Sequence, residues 1–287
     1  MANFINTIDV LGDDAVIDSI IDRTITEFND DTIETVGNSA FCGCTALGAV
    51  RLPSVTEILN SAFRDCTSLK AITPDTFPKV KAIAKNVSRY AFQGCSGLES
   101  ISWPSLEQLL SSQVFDNCTS LQSVDLPNLT AIDTNTFKNC GNLTAANMPK
   151  LEVLGDSTFA SCRALQSVTL PKVTALNGYS CFWGCAKIEV VDLPLCASIP
   201  GGKHFQMCTA LKALILRNAE AVCTLENTNS FSNNGISNGT GYVYVPRALV
   251  DSYKAATNWS TYATRFRALE DYTVDGTITG ALDETKI

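Results

Sequence analysis

With 287 residues, 45% of them hydrophobic and only 17% charged, the chain has ample apolar mass for a core and few charges for its surface. A net charge of -8 argues against nucleic acid and anionic membranes as partners, because both need clustered Lys and Arg. No apolar run is long enough to insert into a bilayer.

The chain opens on Met1-Ala2-Asn3-Phe4-Ile5-Asn6-Thr7, which has neither a basic n-region nor a long apolar h-region. It therefore reads as lacking a signal peptide. Gly12-Asp13-Asp14 followed by Ala15 to Asp22 predicts a short capped helix, with Val16, Ile17, Ile20 and Ile21 on one face. Residues 1–30 are expected to form an N-terminal cap.

From residue 31 to residue 246 one template recurs: F-x-x-C-x-x-L-x-x-V-x-L-P-x-V-x-x-L. Its Phe column is Phe41, Phe63, Phe92, Phe115, Phe137, Phe159, Phe182 and Phe205, with Phe231 as a degenerate ninth. Its Cys column is Cys44, Cys66, Cys95, Cys118, Cys140, Cys162, Cys185 and Cys208. The next apolar columns begin Leu47, Leu69, Leu98 and Val50, Ile72, Ile101. Prolines 53, 78, 104, 127, 149, 171 and 194 complete the unit, and Asn218 stands in for proline in the last full copy. Successive cysteines are 22 or 23 residues apart, save one step of 29 between Cys66 and Cys95.

One unit is legible physically. In L-x-x-V-x-L-P, Val168 and Leu170 alternate inward while Ser167 and Thr169 face out, so the segment is a short strand. Proline ends it, having no N–H to donate. P-x-V-x-x-L is a second extended stretch, and the three-residue spacing of F-x-x-C-x-x-L suits a helical or 3₁₀ turn. No single unit buries its own apolar face, whereas stacked units do. The expectation is an α/β repeat solenoid with a parallel sheet of short strands, capped at both ends and about 40 Å long.

The longer step adds residues in two places, near Thr73 to Thr76 and near Ala84 to Ser88. Insertions in solenoids fall in loops, here read chiefly as a neutral bulge. Beyond the last strand, Gly241 to Pro246, residues 247–271 predict a helical cap. Leu249, Val250 and Tyr253 face in there, and Trp259, Tyr262, Phe266 and Leu269 close the core. Residues 272–287 form a polar tail, with Asp275-Gly276 as a turn.

Two stretches carry a family resemblance. They are Asn60-Ser61-Ala62-Phe63-Arg64-Asp65-Cys66-Thr67-Ser68-Leu69 and Ser123-Val124-Asp125-Leu126-Pro127-Asn128-Leu129-Thr130-Ala131-Ile132. Residues 31–246 resemble the BspA-like (Treponema pallidum type) leucine-rich-repeat family. The resemblance implies a curved leucine-rich-repeat solenoid and a role in binding or adhesion, often on bacterial surfaces. It implies a surface or secreted location, with virion-associated and cytoplasmic placements as alternatives for a chain without a visible signal.

Candidate chemistry is sparse. The repeated cysteines are small buried apolar residues rather than a disulfide framework, and no cation stands near to activate a thiol. Cys42/Cys44 and Cys181/Cys185 lack a partner pair at zinc spacing. His204, the only histidine, is read as a packing residue. Pro200-Gly201-Gly202-Lys203 lacks the phosphate-loop spacing and reads as a turn. The N-x-S/T triplets follow from a repeat rich in Asn, Ser and Thr. No catalytic residue, metal or cofactor is expected.

Surface recognition remains. Outward strand positions run from Ala49 and Arg51 to Ala213 and Ile215, mostly small and uncharged. The residues singled out are Arg51, Ser102, Asp125, Asn147, Thr169 and Asp192 on that face, with Trp183 in an F-x-x-C turn. The expected function is a non-catalytic, monomeric scaffold for a protein or cell-surface ligand. The alternative is a structural or accessory component of a larger particle, such as a phage tail.

Overall fold

A computed structural model describes residues 23–83 and 88–272, together with the backbone of Val16–Ile17. Most coils carry two short strands and one turn, and like strands stack in parallel. The first strands lie along one face in three paired runs, the first two being Glu27–Asn29 with Ala49–Arg51, and Ala71–Ile72, Ser100–Ser102, Ser123–Asp125 and Ala145–Asn147. The third run is Ser167–Thr169, Val190–Asp192, Ala213–Ile215, Tyr242–Val245 and Phe266–Ala268. The second strands, such as Glu57–Ile58, Gln108–Leu109 and Val153–Leu154, line another face, likewise in three parallel runs. In a typical coil the register sets Ser123, Val124 and Asp125 against Ala145, Ala146 and Asn147.

The third face is made of turns. Each closes with i→i+3 hydrogen bonds of the expected 3₁₀ type, as from Cys44 N–H to Phe41 O at 3.0 Å and from Leu47 N–H to Cys44 O at 3.1 Å. The turns do not run on into helices, because left-handed residues punctuate them. From Phe41 to Phe205, the residues two before and two after each column Phe have positive φ, for example Asn135 at 58° and Asn139 at 61°. Asn, Asp, Ser and Gly fill most of these places, the residues that tolerate this region best. The conformation aims alternate amides at the next coil: Asn135, Phe137 and Asn139 donate to Asp156, Thr158 and Ala160 at 2.7, 2.9 and 2.8 Å. The turn face is thereby a third hydrogen-bonded ladder.

Inside, the Phe column is one aromatic stack. Phe41–Phe63, Phe63–Phe92 and Phe92–Phe115 have centroids 4.8, 5.1 and 5.2 Å apart, and Phe137–Phe159 lie 5.8 Å apart. Nine column Phe, from Phe41 to Phe231, are fully buried. Burying each contributes about 1.5–3 kcal/mol. The pairs that bridge coils outside, Lys70–Glu99, Lys81–Glu107 and Lys212–Glu189, are exposed and add about 0–1 kcal/mol each.

The inserted residues 73–76 do not form a free loop. Thr73 and Thr76 tie the segment into a turn, with Thr73 N–H donating to Thr76 Oγ1 at 2.9 Å. Phe77 then enters the core, 5.2 Å from Trp103, whose Nε1–H donates to Phe77 O at 3.1 Å. Residues 84–87 of the second insertion lie outside the described residues.

The ends differ from expectation in two respects. Val16–Ile17 is a strand, paired in parallel with Thr35–Val36, and so extends the second ladder rather than forming a helix. The rest of the predicted Ala15 to Asp22 helix lies outside the described residues, as does the predicted turn at Asp275-Gly276. At the other end, Arg247–Leu249 is a 3₁₀ turn, Val250–Ala255 is an α-helix and Trp259–Arg265 is 3₁₀. Trp259 Nε1–H donates to Cys223 O at 2.6 Å, and its ring lies 5.5 Å from Phe231, so the cap continues the stack. Leu269 does not close that core. It is buried on the outer side of the first sheet, with Ala213, Ile215 and Tyr244, and Tyr272 packs there too. Ala213 and Ile215 are therefore covered, not outward, because the chain crosses over the end of the sheet after Phe266–Ala268.

Candidate binding surface

The predicted surface residues fall into three groups. Ser102, Asp125 and Asn147 stand side by side on adjacent strands, in direct register. Asn147 Nδ2–H donates to Asp125 Oδ1 at 2.7 Å, so the carboxylate has a fixed neighbour while both residues stay exposed. Thr169 and Asp192 are likewise in register with each other.

Asp125, Asn147 and Thr169 line one shallow groove of about 560 Å³ on the outer face of the first sheet. Ser123, Thr144 and Ser167 add hydroxyls, and Ala145 and Ala146 form its floor. The groove is uncharged apart from Asp125, and its main-chain edges offer further donors and acceptors. Such a surface suits a partner that brings its own polar groups.

Asp192 is less available. Its side chain is 14% exposed and is gripped by Arg217, with Nη2 to Oδ2 at 2.8 Å and Nε to Oδ1 at 3.1 Å. The register Asp192 to Ile215 places Arg217, not Asn218, where the preceding copies carry proline. That substitution frees a long side chain to reach back one coil, and it was the available signal for this pair. Arg51, at the far end of the same face, is bonded to Asp31 at 2.7 Å.

Trp183 is 40% exposed but lies on the turn face, apart from the sheet-face row. Tyr179, 60% exposed, and Met207, 43% exposed, belong to the same face. Met207 takes a left-handed position after Phe205, where the column more often carries Gly or Asn.

The interior groups have structural partners. Seven column cysteines, Cys66, Cys95, Cys118, Cys140, Cys162, Cys185 and Cys208, donate S–H to the carbonyl of the Phe one coil back, at 3.1–3.4 Å. The neighbouring Cys95 thiol and then burial raise Cys66, and burial raises the other six; that of Cys208 is pushed up to about 12. Cys223 donates to Cys196 Sγ at 3.9 Å, a bond that lowers Cys196 and, with burial, raises Cys223. His204 is fully buried, with Nε2 bonded to Pro200 O, and burial lowers its pKa. Among the described residues no three His, Cys, Asp or Glu side chains gather as a metal site, and no helix is long and apolar enough to cross a membrane.

Comparison with known proteins agrees with the repeat. A profile for the BspA type leucine rich repeat region matches residues 22–144, 85–212 and 130–241. A T. pallidum leucine-rich-repeat protein of known structure is 27% identical over 49% of this chain, with a TM-score of 0.44. The match covers 64% of that protein, less than two thirds of its length. A Bacteroides ovatus leucine-rich-repeat protein is 22% identical, covering 76% of this chain and 68% of the other, with a TM-score of 0.40. A leucine rich cell surface protein from Faecalibacterium prausnitzii is 18% identical, covers 89% of both chains and has a TM-score of 0.44. A search of curated proteins finds no match. Matched by the family profile from residue 22 to residue 241, the chain belongs to the BspA-type leucine-rich-repeat family.

Proposed function

We propose that the protein is a non-catalytic scaffold that binds a protein or cell-surface ligand through the outer face of its first sheet. The observation that carries this reading is the row of Ser102, Asp125 and Asn147, held in direct register on paired strands while remaining open to solvent, with Thr169 across the groove. Paired parallel strands fix the spacing of Ser102, Asp125 and Asn147 at about 4.8 Å from coil to coil. A ligand therefore meets a preorganised polar strip, and little conformational entropy is lost in ordering it. Seven column cysteines are engaged in the interior by their Phe carbonyls and His204 is buried, which favours recognition at the surface.

The test is capture by the immobilised chain, identification of the captured protein, and affinity measurement with that protein purified. Asn147→Arg and Thr169→Arg should each weaken binding at least about tenfold, since they place bulk and charge in the groove. Glu220→Arg, exposed and distant from the groove, should leave affinity unchanged. Equal affinity for all four proteins would rule out this face.

A further inference from the structure

We infer that the solenoid carries a bending seam between residues 144–155 of one coil and residues 166–177 of the next. Both sheets part at this step. The first-sheet ladder stops at Ala145–Asn147 and resumes at Ser167–Thr169, and the second stops at Val153–Leu154 and resumes with Ala175 against Ser198. In neighbouring coils Leu126 donates to Asn147 O, Thr144 to Gln122 O, Glu152 to Thr130 O and Gly155 to Ile132 O, all at 2.8–2.9 Å. The equivalent amides at the seam are Met148, Gln166, Thr174 and Asn177, and among the described residues none of them makes a main-chain bond.

The step is not explained by an insertion. Cys140 and Cys162 are 22 residues apart, the ordinary spacing. The ladders also part at the insertion between residues 49–58 and 71–83. There, Lys70 N–H still reaches Gly48 O at 3.3 Å and Leu52 N–H reaches Thr76 O at 2.9 Å. What distinguishes the seam coil is its composition. Ala146 takes the place that Val124 and Val168 hold on either side, and Met148 takes the place of Leu126 and Leu170. Alanine lacks the branched side chain that favours a pleated strand, and methionine is the most adaptable apolar filler. Ala146 is partly exposed, whereas Val124 and Val168 are buried.

The third face stays joined. Asn135, Phe137 and Asn139 donate across this same step, Ala164 N–H reaches Gly141 O at 3.1 Å, and Cys162 S–H reaches Phe137 O at 3.1 Å. Beyond the seam, Tyr179 N–H donates to Asp156 Oδ1 at 2.9 Å. The turn face therefore acts as the hinge line, and the two sheet faces gape together. Grooves lie at the seam on both sides, about 560 Å³ on the first sheet and about 360 Å³ on the second. The interior at the seam is held by non-directional contact among buried Leu143, Met148, Leu165 and Val168, which resists bending less than a hydrogen-bonded ladder. Bending here changes the separation of Asn147 and Thr169, and so gives the groove a variable width.

Amide hydrogen exchange on the full chain, without any ligand, tests the seam independently of the binding reading. Met148, Gln166, Thr174 and Asn177 are expected to exchange at least about tenfold faster than Leu126, Thr144, Glu152 and Gly155. Ala146→Val should slow the seam amides toward their counterparts. If the variant does not fold, the wild-type pattern decides alone. Protection at the seam within about twofold of the counterparts would overturn the inference. Fast seam amides that Ala146→Val leaves unchanged would overturn the assignment to Ala146.

Discussion

The side-chain amide of Asn234 donates to the main-chain oxygen of Phe205 at 3.2 Å. It stands three residues after Phe231, the place that cysteine takes in the preceding copies, and it makes the bond that Cys208 makes to Phe182. The column is therefore defined by what it does rather than by sulfur. From Cys66 onward each column residue supplies a second buried donor to a Phe carbonyl that already accepts the amide three residues on in its own turn, as Phe137 O accepts from Cys140 N–H at 3.3 Å. A carbonyl has two lone pairs and a further buried hydrogen bond adds about 0.5–1.5 kcal/mol, so a small apolar side chain with a weak donor suits the site.

Cys162→Ala should accordingly destabilise the chain by about 1–3 kcal/mol, combining the lost donor to Phe137 O with a small void. Chemical denaturation of the two proteins measures the difference. A neutral substitution would show that the S–H bond contributes nothing.

Phe137→Ala should cost more, about 3–5 kcal/mol, because it removes a fully buried ring from the middle of the stack. The same denaturation experiment reports it. A loss under about 1 kcal/mol would be inconsistent with a continuous aromatic core.

Thiol titration should divide along burial. All twelve cysteines are free, and only Cys42 is not buried. The native protein should therefore react slowly with a disulfide reagent, Cys42 first, and the denatured protein should react at all twelve. Fast reaction of several native thiols would mean that the ladder opens readily.

The columns of Phe, Cys, Leu and Val were readable because a solenoid imposes one period on every layer of its core. Asp125, Asn147 and Thr169 were readable for a related reason: strand alternation assigns a face without further information. Other features do not repeat. The left-handed positions are marked by Asn, Ser and Gly in most coils, yet Tyr90, Gln113, Lys203 and Met207 occupy them too, held there by the cross-coil ladder. The covering of Ala213 and Ile215 depends on where Leu269 and Tyr272 cross the sheet, and a terminal segment has no period to announce its path. Ala146 was visible as a departure from the Val column, but only the parted ladders give it a physical consequence.

The single histidine offers a final prediction. His204 is buried with Nε2 on Pro200 O, and its Nδ1 has no hydrogen-bond partner. Burial lowers its pKa in the fold, while the unfolded chain takes up a proton near the ordinary value of 6.5. Between those two values the unfolded state binds more protons than the native one, so stability rises with pH across that window. The contribution is fully present above pH 6.5 and is lost as pH falls below it. The slope from one proton is at most about 1.4 kcal/mol per pH unit. The column that holds His204 elsewhere carries Ala40, Ala62 and Ala91, so His204→Ala is a substitution the coil geometry accepts. Melting temperatures measured between about pH 7 and 5.5 should fall in the wild type and stay nearly level in His204→Ala, while carboxylates remain largely ionised. Parallel curves for the two proteins would show that His204 is not the group that titrates.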